Sequence, residues 1–183
     1  MEFTWNVATA EELQWIASLE EKQFGHDAIP LPILQEWYGA NASAFVVLKC
    51  DGAKLGHIDV LPVREDAFRP FVDGAIVERD LRGAAFFTPA EHAAARDVYI
   101  ESIIVLGDTR EVHRGARSFL LQNLGAIIRN VAESPRHVYA MAATDAGVRF
   151  MQRWKFEVVT PAEGRVDAHP LYRTGFEEWM TRI

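Results

Sequence analysis

Cysteine is all but absent from this chain: Cys50 is the only one in 183 residues. A single thiol excludes an intramolecular disulfide and any zinc site built from several cysteines. Before a hairpin turn and without a local histidine, Cys50 is expected to be buried and inert. Positive charge is also short. Nineteen Lys and Arg stand against 26 Asp and Glu, leaving a formal net charge of -7. Phosphate backbones and anionic membranes reward the opposite sign, so neither nucleic acid nor a membrane is expected as a partner. No apolar run approaches the roughly 20 residues needed to cross a bilayer. The acidic opening MEFTWNVATAEEL lacks the basic-then-apolar order of a signal peptide, so a cytoplasmic protein is expected. No repeat, low-complexity tract or linker interrupts the chain, and its length suits one domain over residues 1–183.

What is present is an ordered series of helix and strand signals. TAEELQWIASLEEKQF (9–24) opens with a capping box, Thr9 and Glu12, and carries Leu13, Ile16, Ala17 and Phe24 on one face. PLPILQEWYGAN (30–41) reads as a second helix. AFVVLK (44–49) and KLGHIDVLPV (54–63) are strands joined by an Asp-Gly turn. Little periodicity follows, except that TPAEHAAARD (88–97) has the caps of a short helix. DVYIESIIVL (97–106) is a central strand, apolar apart from Glu101 and Ser102. A helix with Leu120, Leu124, Ile127 and Val131 on one face comes next. The strand HVYAMAA (137–143), the helix TDAGVRFMQRWK (144–155) and the strand FEVVT complete the series, with one more strand expected near RVDAHPLYRT. The order predicts an α/β fold with an antiparallel beginning and a later strand–helix–strand unit.

The stretch EVHRGARSFLLQNLG (111–125) joins the central strand to its helix through a basic turn rich in small residues. Cations at a helix N-terminus oppose its dipole, which an anion there would relieve. Further on stands YAMAATDAGVRFMQRWKFEVV. With these two stretches in place, the chain resembles the GNAT superfamily of acyl-CoA-dependent N-acyltransferases over nearly its full length. The resemblance implies a GNAT-like mixed, mostly antiparallel central sheet with flanking helices and a β-α-β acyl-CoA-binding unit. Family members bind the pyrophosphate of coenzyme A in a turn of the form Gln/Arg-x-x-Gly-x-Gly/Ala. Two registers are open here: Arg110-x-x-His113-x-Gly115, and His113-x-x-Ala116-x-Ser118. Either way the implied turn spans residues 110–118 and includes Arg114 and Arg117. Thr144, Gly147, Phe150 and Phe156 match the second family landmark, while Met151 stands where the family often has the Tyr that protonates the leaving thiolate. A thioether has no proton to give.

The resemblance further implies an acetyl-CoA or other acyl-CoA donor and an amine acceptor, either a small molecule or a protein. Backbone N–H groups near Ile103, Ile104 and Val105 would polarise the thioester carbonyl. Glu101 is the candidate general base, its alternative being a Glu paired with a neighbouring Arg or solvated at the sheet edge. His57 and Asp59 share one strand face. They either line the acceptor pocket, with Tyr99, or form ordinary polar strand surface. Ser102, Tyr99 and Tyr139 are substitutes for the missing acid. His26, His92, His137 and His169 show no ligand spacing with carboxylates, and no metal is expected. An insertion at about 62–96 either covers the acceptor site, packs on the sheet, or forms a homodimer contact. The alternative function is a catalytically silent GNAT-like module that binds CoA or a partner.

Overall fold

A strand that the sequence patterns do not announce begins the chain. In the computed structural model, which describes all 183 residues, β1 (Phe3–Val7) pairs antiparallel with β2 (Phe45–Cys50). Between them run α1 (Glu12–Phe24) and α2 (Leu31–Ala40). The capping box expected at Thr9 forms: Glu12 Oε2 accepts the Thr9 N–H at 2.9 Å, and Thr9 Oγ1 accepts the Glu12 N–H at 3.3 Å. Asp51 and Gly52, both at positive φ (48° and 81°), turn the chain from β2 into the long strand β3 (Ala53–Val63).

The insertion is more structured than its composition suggests. Helix α3 (Glu65–Val72) buries Phe68 and Phe71, and short 3₁₀ turns follow. The expected helix over 88–97 is one of these turns, Pro89–Glu91. The Thr88–Glu91 cap forms, but only three residues follow it in helical geometry. With Leu81, Ala85 and Phe86 also buried, the insertion packs on the sheet.

The remaining elements are β4 (Asp97–Val105), α4 (Arg110–Arg129), β5 (His137–Met141), α5 (Asp145–Arg153), β6 (Glu157–Thr160), β7 (Leu171–Gly175) and α6 (Phe176–Met180). Leu120, Leu124, Ile127 and Val131 are all buried, as the apolar stripe of α4 predicts. The seven strands form one sheet in the order β1-β2-β3-β4-β5-β7-β6, antiparallel except for the β4–β5 pair. Helix α1 lies on one face, where Trp15 meets His57 edge-on. Helix α4 lies on the other, where Phe119 stacks on Phe3.

Two features of β4 position the candidate site. Its parallel pairing with β5 runs only from Asp97–His137 to Ile100–Ala140, so residues 101–105 have β3 on one side and an open edge on the other. Across from β3, Asp59 pairs with Ser102 and Val60 with Ile100, leaving Glu101 as the extra residue of a β-bulge. Gly56 lets the strands approach there: a Cβ on it would lie 2.1 Å from the Ile104 carbonyl oxygen. Gly56→Ala is therefore expected to force β3 and β4 apart and to cost about 2 kcal/mol or more, read as a lower urea midpoint at unchanged m-value.

Candidate active site

The open edge carries unspent backbone donors. Leu106 gives its N–H to Leu55 O at 2.7 Å, and the Ile104 carbonyl lies against Gly56. By alternation along the strand, Ile104 bonds toward β3, while the N–H groups of Ile103 and Val105 face the gap. Of the three residues named for the thioester, two thus present donors to the edge and one does not.

Because β4 and β5 are parallel and each feeds a helix, the N-termini of α4 and α5 lie at the same end, beside the gap. Helix α4 starts earlier than its small residues suggest. Thr109 is its N-cap, accepting the Val112 N–H at 3.2 Å, and His113 already donates to Thr109 O at 3.0 Å. The turn expected over 110–118 is therefore helix, and the true turn is Leu106–Thr109. Backbone donors from His113 through Ser118 are committed to the helix, while those of Arg110 and Glu111 are free. Ala116 is buried, and Gly115 faces β1: a Cβ there would lie 2.8 Å from the Phe3 ring. The small residue that serves the turn is Gly107, where a Cβ would meet the His113 backbone at 2.6 Å. Arg110, Arg114 and Arg117 are exposed, fall on one helix face, and enter none of the arginine ion pairs. Thr144 caps α5, accepting the Gly147 N–H at 3.1 Å, so its hydroxyl is engaged within the fold.

On the α1 side the bulge turns Glu101 and Ser102 to the same face as His57 and Asp59. His57 and Asp59 are not surface residues: their side chains are 0% and 1% exposed, because α1 lies across them. Glu20 of α1 joins them, also fully buried. His57 Nδ1 lies 3.3 Å from Asp59 Oδ1, and its Nε2 lies 3.5 Å from Ser102 Oγ and 3.8 Å from Glu20 Oε1. Burial raises the Glu101 carboxyl well above the usual range, and the charges of Glu20, Glu78 and Asp59 raise it further. Burial and Asp59 do the same to Glu20.

Tyr99 is not pocket lining. It is fully buried against Phe68 and Phe71, and its hydroxyl donates to the buried Glu78 of the insertion. Tyr139 packs edge-on against Phe68, and Met151 is buried in the core. Cys50 is half-exposed rather than buried, because its strand ends at the hairpin. A separate cleft of about 300 Å³, lined by Phe68, Arg96, Arg136, His137 and Tyr139 among others, lies at the opposite end of β4 and β5.

Sequence reasoning missed Glu20, Glu78, Thr109 and Gly107. Glu20 left a signal: it sits four residues after Ile16 and seven after Leu13, an acid on the apolar stripe of α1. Thr109 is the capping type of residue at the right distance from Val112. Glu78 lies in an irregular segment and left none.

No known family profile matches this sequence, and no curated relative does. Solved structures do. The loading GNATL domain of CurA from Lyngbya majuscula superposes with a TM-score of 0.65 at 10% identity, covering 97% of this chain and 99% of that one. Ard1 from Thermoplasma volcanium gives 0.60 at 12%, covering 96% and 98%. Arabidopsis thaliana Naa50, in complex with the bisubstrate analogue CoA-Ac-MVNAL, gives 0.55 at 10%, covering 96% and 100%. The chain has the GNAT fold over nearly its whole length.

The Glu78 carboxyl is pushed up to about 7 from an ordinary 4.5, chiefly by burial. Its folded value is raised, so its contribution to stability is full below about 4.5 and is lost as pH rises through about 7. The loss by pH 8 is on the order of 3 kcal/mol. Thermal unfolding from pH 5 to 8 is expected to show a falling Tm in the wild type, with a clearly shallower fall in Glu78→Gln.

Proposed function

We propose that this chain is a cytoplasmic acyl-CoA-dependent N-acyltransferase, moving an acetyl group to a primary amine. The observation that carries the reading is the open edge of β4 running directly into the bulge that presents Glu101. Its support is the GNAT fold together with a neighbour of that fold that holds a CoA–acetyl–peptide analogue.

In this reading the pyrophosphate lies at the α4 N-terminus, against the free N–H groups of Arg110 and Glu111 and the cationic stripe Arg110–Arg114–Arg117. The thioester follows the open edge, its carbonyl oxygen receiving the N–H groups of Ile103 and Val105. The acceptor nitrogen attacks the thioester carbon; the C–N bond forms, the C–S bond breaks, and Glu101 takes the proton from nitrogen. The CoA thiolate leaves and is protonated by solvent, since Met151 offers no proton and the Ser102 hydroxyl faces His57. The thiolate is a good enough leaving group for that path. The buried Met151 and the cluster around Glu101 favour one second reading, a module that binds acyl-CoA without turning it over.

Two measurements test this. Acetyl-CoA and desulfo-CoA at millimolar concentration are expected to raise the Tm, because a ligand of the native state must stabilise it. No shift with either defeats both readings. Charge reversal at Arg114 and Arg117 is expected to remove most of the shift. Thiol release from acetyl-CoA with an amine panel is then expected to fall about 10²- to 10⁴-fold in Glu101→Gln at little changed donor KM. Equal rates in the two proteins remove Glu101 from the mechanism. Stabilisation without release in the wild type supports the silent module.

A further inference from the structure

We propose that Glu20, His57 and Asp59 form a binding site for a divalent transition-metal ion, with zinc the best match to the donor set. One ligand atom from each residue can be chosen so that all lie within 4.8 Å of one another. The site is built from two elements, α1 and β3, and is closed to solvent: the three residues are 0%, 0% and 1% exposed.

Unpartnered atoms point into it. Both carboxylate oxygens of Glu20, both of Asp59, and Nδ1 of His57 are buried without a hydrogen-bond partner. Buried polar atoms are nearly always satisfied, and these five orphans belong to the three residues that can each bring one ligand atom within 4.8 Å of the others. The charges agree. No Lys or Arg pairs with Glu20 or Asp59, and a dication would balance two buried carboxylates whose only ion-pair partner is the His57 imidazole.

The imidazole geometry selects the ligand atom. Ser102 Oγ lies 3.5 Å from His57 Nε2; in the tautomer in which it accepts the Nε2–H, the Nδ1 lone pair faces Asp59 and is the ligand. Nδ1 and Asp59 Oδ1 stand 3.3 Å apart yet make no hydrogen bond. Two ligands about 2.1 Å from a tetrahedral ion stand about 3.4 Å apart, so the pair suits a shared ion better than a direct bond. Glu20 closes the set: one of its carboxylate oxygens comes within 4.8 Å of the chosen His57 and Asp59 atoms, a gap that a modest swing of its flexible side chain narrows. An imidazole with two carboxylates suits zinc, manganese or ferrous iron and disfavours magnesium and calcium. The spacing of His26, His92, His137 and His169 offers no such set; His57 does, because it finds one of its carboxylates on a different element.

The test uses the full chain, purified without a histidine tag. Metal content by mass spectrometry is expected to be close to one ion per chain after growth with zinc. Stripping with a chelator and restoring zinc chloride at about 100 times its Kd should lower and then raise the Tm by about 5–10 °C. Cobalt chloride added to stripped protein should give the intense visible bands of a low-coordinate site. Asp59→Asn and Glu20→Gln should each lose the ion, the zinc-dependent shift and the cobalt bands. Stripped Glu20→Gln should be at least as stable as stripped wild type, since it replaces a carboxyl that burial and Asp59 disfavour in its charged form, and the order should reverse with zinc. A wild type that binds neither zinc, cobalt nor manganese overturns the site, as does metal binding undiminished in both variants. The second outcome places the ion elsewhere, and the first leaves protons alone to neutralise the cluster.

Discussion

The pairing of β3 with β4, one residue out of step at Glu101, governs the rest of the structure. Before the bulge, β4 has neighbours on both edges and its side chains belong to the core, with Tyr99 locked against Phe68 and Phe71. After it, β4 keeps β3 and loses β5, and its backbone turns from structural support into a row of available donors. The same extra residue places Glu101 and Ser102 side by side on the face covered by α1. One insertion in a ladder thus makes both the open edge and the carboxylate beside it.

The electrostatics of the two faces are opposed. Around α4 the free charges are exposed arginines at the positive end of a helix dipole, an arrangement that anions relieve. Under α1 the charges are carboxylates removed from water, with His57 beside Glu20 and Asp59, and Arg165 and Arg79 near Glu78. Four acids from separate elements meet there or nearby: Glu20 from α1, Asp59 from β3, Glu101 from β4 and Glu78 from the insertion. Tight packing of a sheet face with that many acids is stable only if protons or a cation share the space.

The architecture was legible because its signals are local. Capping boxes, the Asp-Gly turn and the α4 stripe each rest on residues within a few positions of one another, and each is realised. The family likeness held at the level of fold. The site was legible only where one strand carried it, as with Glu101, His57 and Asp59. What those side chains meet depends on α1 crossing the sheet, which no spacing encodes, so His57 and Asp59 read equally well as surface. The α4 turn was misplaced for a related reason. Small residues signal close approach without saying to what, and Gly115 and Ala116 answer to packing, while Gly107 answers to the turn.

Gly115 has a mechanical meaning as well. The Phe3 ring sits against it and stacks on Phe119, so the edge strand grips α4 two turns below its start. That grip sets the height at which the helix tip stands relative to the free edge of β4. The first strand of the chain, remote from every polar group of the site, acts as the spacer between the place for a phosphate and the place for a carbonyl.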